Sequence, residues 1–503
     1  MKKAIIFLIF ALALISLSAV SADENITDLE VNEVNDDIIS LDDSIQGGGD
    51  DDVSDVKANS TISADSTKGY EGFSTKFVAT LTSDGIGLSS KEVIISLNGN
   101  NYSRTTNDLG QAILNIKLAK GTYNVDYYFL GDNETNSSMG SCKITIGDAT
   151  KTTLKNADKD ISYRQGSKSV FIVRLVTSTG SPVKNQTVTF KANGKTYTAV
   201  TNSKGYAQIF LSLKKGKYKV SYSFKSNCPY LSSKGYDYIT VKESIGKGNG
   251  YWMWASGIKS VNLKTLKSKG TKQIFLHSYA FQLYGKSAVT SWIAKANSYG
   301  MKVHIWVQCF YDGKWVKPLK KDESLDYGYM KKKVADVVSY AKIKGVAGVH
   351  LDYVRFGGTA HKYDNSVKAV NYFVKKVCTE VRKVRPNCII SAAVMPEPGM
   401  MEYYYGQDIS TMSKYLDVII PMAYKGNYAK STSWITYVTN SFALESNGAQ
   451  VWTGLQAYQS DDHVVRLSHS ALLKDAKSAM SGGAKGVVLF RIGVTNLLNF
   501  NKV

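Results

Sequence analysis

Over residues 245–503 the chain alternates eight short apolar segments with helical patterns, an alternation that leaves few folds open. The strand-like segments are GYWMW (250–254), KQIFLHS (272–278), KVHIWVQCF (302–310) and GVHLDYVRF (348–356). IISAAVMPEP (389–398), LDVIIPMAY (416–424), QVWTGLQAY (450–458) and KGVVLFRIG (485–493) complete the set. Between them the 3.6-residue period is clearest at 291–300, 329–345 and 365–386, with stops at Gly300, Gly345 and Pro386. Eight such units in about 250 residues predict a (β/α)8 barrel. A doubly wound open sheet is the alternative, but no Gly-rich phosphate turn follows the first strand.

Upstream, residues 57–147 and 148–244 are two copies of one module. TTNDLGQAILNIKLAKGTYNVDY (105–127) aligns with TNSKGYAQIFLSLKKGKYKVSY (201–222), and GFSTKFVATL (72–81) with GSKSVFIVRL (166–175). Both copies alternate apolar and polar residues between Gly, Asn, Asp and Ser turns, which predicts two antiparallel β-sandwiches. The fold class is therefore multidomain: two all-β sandwiches followed by an α/β barrel.

The first 22 residues read as a secretory signal, with Lys2 and Lys3 before an apolar run and Val20-Ser21-Ala22 as a cleavage site. Residues 23–56 hold 13 acidic residues and no Lys or Arg, the composition of a disordered linker. The remaining 57–503 carry 60 basic against 29 acidic residues. A field of that sign favours acidic partners. Export makes an anionic extracellular or cell-wall polymer the expected partner and nucleic acid an unexpected one, with no membrane-spanning segment after signal cleavage. Six N-x-S/T sequons, from Asn25 to Asn185, all fall in the N-terminal half. The five cysteines are too few for a disulfide scaffold, although Cys378 and Cys388 could pair across a helix–strand junction.

Catalytic groups of such barrels sit at the C-terminal ends of strands, which singles out Asp352 at the end of strand four. Side chains alternate between the interior and the helical layer. If Asp352 faces inward, so do His350 and Gly348, and on strand three His304, Trp306 and Gln308. Strand five offers Ser391, Ala393, Met395 and Glu397, and strand six Met422 and Tyr424. Strand seven offers Trp452, Gly454, Gln456 and Tyr458, and strand eight Leu489 and Arg491. The upper members form a polar, aromatic cup suited to sugars, whose C–H faces stack on rings while hydroxyls find polar partners. Trp306, Gln308, Tyr424, Gln456, Tyr458 and Arg491 are its expected substrate-binding residues.

Glycoside hydrolysis usually needs two carboxyl groups flanking the bond. Asp352 is the first candidate, Glu397 in MPEP the second, Asp408 its rival, and Asp312 after strand three a further one. Arg355 is placed to keep Asp352 ionised or to clamp an acidic substrate group. Asp417 and Asp336 lie at the wrong strand end and inside a helix, so both read as structural. His350-x-Asp352 with His304 nearby raises a metal alternative, but strand one has no H-x-H and both histidines lie a layer below the mouth. No metal or other cofactor is expected. Cys309 points outward by alternation, and no G-x-S-x-G elbow exists.

In order, GVHLDYVRF, ISAAVMPEP, YGQDISTMSKYLDVIIPMAY (405–424) and VWTGLQAY resemble the glycosyl-hydrolase-like family ten barrels. The supporting pieces are Asp352-Tyr353, Gly406-Gln407-Asp408 and Pro421-Met422-Ala423-Tyr424. The upstream pair resembles bacterial-type immunoglobulin-like repeats of secreted wall proteins. These resemblances imply a secreted glycan hydrolase behind a stalk, with Asp352 as the residue carried over. A chitinase-type D-x-D-x-E is absent, because Val354 stands where its Glu would be, and Tyr353 replaces the second Asp of many relatives.

The expected function is a secreted glycoside hydrolase acting on a cell-wall or extracellular polysaccharide, anionic and amino-sugar-containing, by two-carboxylate chemistry. Two alternatives are a non-catalytic glycan-binding adhesin and a metal-dependent wall amidase using His350 and Asp352.

Overall fold

The computed structural model describes residues 57–503. The expected signal peptide (1–22) and acidic linker (23–56) lie outside the described residues. Asn59–Val503 form one unit.

Residues 61–147 build two facing sheets. One joins Thr61–Ser63, Thr75–Ser83, Ile86–Gly87 and Gln111–Ile116. The other runs in the order Thr67–Tyr70, Ser138–Gly147, Gly121–Phe129, Glu92–Leu97, Asn100–Thr105. Strict alternation, visible in the burial of Thr75–Ser83, turns Phe77, Ala79 and Leu81 toward Val93, Ile95, Val125 and Ile144 of the opposite sheet. Residues 152–242 repeat the plan, with Thr152–Asn156, Ser169–Thr177 and Tyr206–Leu211 facing Tyr163–Arg164, Ser233–Lys242, Gly216–Phe224, Thr187–Ala192 and Lys195–Val200.

The C-terminal region is a closed barrel of parallel strands: β1 (Gly250–Met253), β2 (Gln273–His277), β3 (Lys302–Gln308), β4 (Gly348–Asp352), β5 (Ile389–Val394) and β6 (Val418–Ala423), followed by β7 and β8. Strand β7 is split into Gln450–Val451 and Thr453–Gln456, and β8 is Val487–Phe490. Pairing of β1 with β8 closes the ring. The strands end earlier than their apolar runs suggest. In β4 the reason is local: Tyr353 takes a left-handed backbone (φ 53°), which turns the chain out of the sheet directly after Asp352. Helices at Ala280–Ser298, Tyr327–Ala341, Ser366–Val384, Thr432–Glu445 and His469–Ser481 cover the outside. Among the described residues, no helix is long and apolar enough to cross a membrane.

One expected facing is overturned. In β8 it is Val488 and Phe490 that point inward, while Leu489 packs outward among the helices. The register explains this: Val488 is level with Gly250 of β1 and Gly454 of β7, both interior positions. Below the mouth the interior is solid. Phe275, Ile389, Val418 and Trp452 form a buried cluster, and the His304 ring stacks on Phe275 at 4.8 Å.

The second two-sheet unit is joined to the barrel by buried charge. Arg164 donates from Nε and Nη2 to the two carboxylate oxygens of Asp417, at 2.6 and 3.1 Å. Arg382 stands 3.6 Å from the same carboxylate, and the Ile390 backbone N–H donates to it at 2.9 Å. Burial opposes ionisation here, yet the two guanidinium groups hold the Asp417 carboxyl below its usual range. Asp158 adds a second contact, accepting from Tyr415 Oη and from Lys375 Nζ. All five cysteines are free, and Cys378 and Cys388 are buried without bonding to each other.

Candidate active site

The C-terminal ends of the strands enclose a cavity of about 450 Å³, within the range of sugar-sized ligand sites. Asp352 lies in its wall and is 7 % exposed. Register brings it level with Gln308, and His350 level with Trp306, so the neighbouring strand supplies the partners. The Trp306 indole N–H donates to Asp352 Oδ2 at 2.9 Å, and the Tyr353 backbone N–H donates to Oδ1 at 2.7 Å. Burial pushes the Asp352 carboxyl above the ordinary range, while Arg355 and the two donors pull it down without cancelling the effect. Asp352 is thus a fixed carboxyl that keeps its proton more readily than a solvated one, the property required of a general acid.

Beneath it the histidines are held neutral. Trp252 Nε1–H donates to His350 Nε2 at 3.0 Å, so the proton resides on Nδ1 and is donated to Ser391 Oγ at 2.9 Å. Burial pushes the His350 pKa well down and that of His304 to about 3. His304 uses Nε2 on Gln273 Oε1 at 2.9 Å. With both nitrogens of His350 engaged, its ring fits a structural role better than metal ligation. Among the described residues no group of three or more His, Cys, Asp and Glu could hold a metal ion.

The cavity walls are aromatic. Trp254 lies against Trp306 and His277, with ring centroids 4.9 and 4.5 Å apart, and Tyr424 against Phe490 at 5.7 Å. Arg355 lies in the wall with its guanidinium over the rings of Trp315 (4.8 Å) and Tyr353 (5.0 Å). Its Nε is buried with no hydrogen-bond partner. Arg491 sits over Trp254 at 5.7 Å, at the rim rather than within the cup.

Of the residues singled out in the sequence, Trp306, Gln308, Asp352, Tyr353, Arg355 and Tyr424 line the cavity directly, with Ala393, Met395 and Met422 as its apolar share. Gln456 and Tyr458 stand one step behind. Gln456 Nε2 donates to Asn427 Oδ1 (2.7 Å) and Tyr458 Oη to Asp461 Oδ1 (2.6 Å). Asn427 in turn donates to Asp461 Oδ2 at 2.7 Å, and Asn427 and Asp461 are the wall residues. Glu397 also stands back: Oε1 accepts from Tyr405 and Tyr428, both at 2.8 Å, and Tyr428 lines the cavity. Asp408 is not brought to the mouth. It caps the helix Ile409–Tyr415, accepting from the Thr411 N–H at 2.9 Å and from Asn371 at 3.0 Å. Asp312 is exposed and outside the wall. Cys309 is buried with its thiol pKa pushed up.

Trp252, Trp254, Pro396, Asn427, Tyr428, Asp461 and Phe490 complete the wall and were not singled out. The first two had a signal, since alternation from Gly250 puts 250, 252 and 254 on one face. The loop residues carried none, because strand periodicity ends where they begin.

Residues 289–454, from the helix after β2 into β7, match the family model described as "Putative glycosyl hydrolase domain". Similar solved structures include the PgaB glycoside hydrolase domain from Bordetella bronchiseptica, 10% identical, covering 50% of this chain and 95% of that one, TM-score 0.40. A class V chitinase from Pseudomonas fluorescens is 14% identical over 51% of this chain and 98% of its own, TM-score 0.41. An endo-beta-1,4-mannanase from Thermotoga petrophila is 15% identical over 49% and 68%, TM-score 0.37. No curated protein matches the chain. The C-terminal region is thus a closed parallel barrel of eight strands, and the part of it from residue 289 to 454 matches the description of a glycosyl hydrolase domain.

Proposed function

We propose that the chain is a secreted glycoside hydrolase of the family-ten kind, carried on two immunoglobulin-like repeats and acting on an anionic cell-wall or extracellular polysaccharide. One observation carries the reading: a buried carboxyl, Asp352, fixed by two donors with its pKa raised, opening into an aromatic cup. In this mechanism Asp352 protonates the leaving glycosidic oxygen. Asp461 is the preferred second carboxylate because it shares the cavity wall, and Glu397 positions Tyr428 through their hydrogen bond. Arg355, with donors unspent, takes an acidic substituent of the sugar, and Trp254 and Trp306 take its apolar face. The excess of Lys and Arg outside the acidic segment supports the anionic character of the polymer.

The test is reducing-sugar release from anionic wall polysaccharides by the full chain beside Asp352→Asn, Asp461→Asn and Glu397→Gln. Release lost in the first two variants and retained in part by Glu397→Gln supports the assignment. Release abolished by Glu397→Gln and untouched by Asp461→Asn exchanges the two carboxylates. Binding without release by the unsubstituted chain turns the reading to a non-catalytic glycan binder.

A further inference from the structure

The outer face of the five-stranded sheet in residues 163–242 is chemically unlike its counterpart in the first repeat. In an antiparallel pair, residues that are partners in register share a face. On Gly216–Phe224 and Ser233–Lys242 the partners Lys217↔Thr240, Lys219↔Tyr238, Ser221↔Tyr236 and Ser223↔Lys234 point away from the core. The positions 95 residues earlier have the same register: Thr122↔Thr145, Asn124↔Lys143, Asp126↔Ser141 and Tyr128↔Met139. The backbone is thus repeated, while one copy presents lysines and tyrosines where the other has mostly small polar residues.

Tyr236 and Tyr238 are 57% and 59% exposed. Their rings meet edge to face at 5.9 Å. Lys219 Nζ lies 4.2 Å from the Tyr236 centroid, and Lys217 Nζ 5.0 Å from that of Tyr238. Neither lysine is in an ion pair among the described residues. Next to them is a depression of about 480 Å³ lined by Thr189, Lys191, Lys219, Ser223, Lys234 and Tyr236. No Asp or Glu occupies an outward position of these strands or of their neighbour Thr187–Ala192. Exposed rings beside uncompensated ammonium groups and hydroxyls, along one face of a sheet, match one kind of occupant. It is an extended polymer with apolar sugar faces, hydroxyls and regularly spaced carboxylates or phosphates.

We propose that this sheet face binds an anionic polysaccharide chain, giving the protein a second glycan site apart from the barrel cavity. The proposal rests on the functional reading for its anionic glycan and is independent of turnover. Sugar rings rest against Tyr236 and Tyr238, while Lys191, Lys217, Lys219 and Lys234 face the polymer's charges.

The experiment is affinity electrophoresis of the full chain carrying Asp352→Asn, so that the polymer stays intact, through gels containing polygalacturonate, neutral dextran or polyglutamate. Retardation is expected with polygalacturonate. Tyr236→Ala/Tyr238→Ala and Lys217→Ser/Lys219→Ser should each weaken it about tenfold. The matching first-repeat changes Asn124→Ala and Ser141→Ala should leave it unchanged. Equal retardation by polyglutamate would overturn the glycan assignment in favour of charge alone, and retardation insensitive to the second-repeat variants would overturn the site. If the unsubstituted chain releases no sugar but the tyrosine variants lose retardation, the hydrolase reading fails and this site stands. Release with retardation untouched by the variants gives the converse.

Discussion

Arg164 belongs to the second repeat, yet its guanidinium is buried against Asp417 of the barrel, with the two side chains 7% and 1% exposed. Replacing it by Met keeps an unbranched apolar stem and removes both hydrogen bonds to the carboxylate. Breaking a buried pair from one side costs about 3–5 kcal/mol, because the remaining charge stays desolvated. Here Asp417 retains the Ile390 N–H at 2.9 Å and Arg382 at 3.6 Å, which places Arg164→Met at the low end, about 3 kcal/mol. Asp417→Asn leaves Arg164 and Arg382 facing each other without an anion and should cost more, about 4–5 kcal/mol. Since the pair acts as a unit, the double variant should cost no more than Asp417→Asn alone. All seven tryptophans, from Trp252 to Trp452, lie in the barrel, so tryptophan fluorescence reads barrel unfolding alone. At an m of about 3 kcal/mol/M, Arg164→Met should lower the urea midpoint by about 1 M. An unchanged midpoint would refute the claim that the repeat and the barrel share stability through this pair.

Further outcomes follow from the site. Asp352 binds its proton more tightly folded than unfolded (ordinary value 3.8), so wild-type stability falls as pH rises from 3.8 through the raised folded value. Asp352→Asn should therefore gain in Tm over wild type on going from acidic to neutral pH, and a constant difference would contradict the raised pKa. Trp306→Phe deletes the donor to Oδ2, worth about 1 kcal/mol, and should move the basic limb of the activity profile to higher pH while lowering kcat about five- to tenfold. Gly426→Ala would drive its methyl into the Gln459 carbonyl, displacing the loop that carries Asp461, and should reduce activity with little change in the far-UV spectrum. Excess EDTA should leave sugar release intact, and its loss would favour the metal amidase.

How much of this was legible depends on where two faces differ. The repeat strands have one wet and one dry face, so alternation reveals both elements and facing, as in Thr75–Ser83. Barrel strands are buried on both sides. In β4 and β3 a polar interior residue, Asp352 or Gln308, marks the inner face. In Val487–Phe490 every residue is apolar, and only pairing with Gly250 and Gly454 reveals that Phe490, not Leu489, faces the cup. The place of Asp352 in the cavity wall was legible because it ends an inward-facing strand at the C-terminal mouth of the barrel. Asp461 and Asn427 were not, since loops after β6 and β7 meet through hydrogen bonds that no periodicity encodes. Glu397 was misplaced for a related reason: β5 ends at Val394, and alternation counted beyond a strand's end assigns no direction.

The solid interior beneath the cup has a consequence for traffic. Trp452 fills the space a side chain at position 248 would need, and with Phe275, His304, Ile389 and Val418 it stops the barrel from below. The cavity is a blind alley. A polymer cannot be threaded through it, so whatever binds there must enter and leave by one door. A chain end dipping in, or a single residue pressed down from a strand lying across the rim, are the two approaches such a shape permits. Under the proposed hydrolysis, departure of the severed piece is then a step the next substrate must wait for.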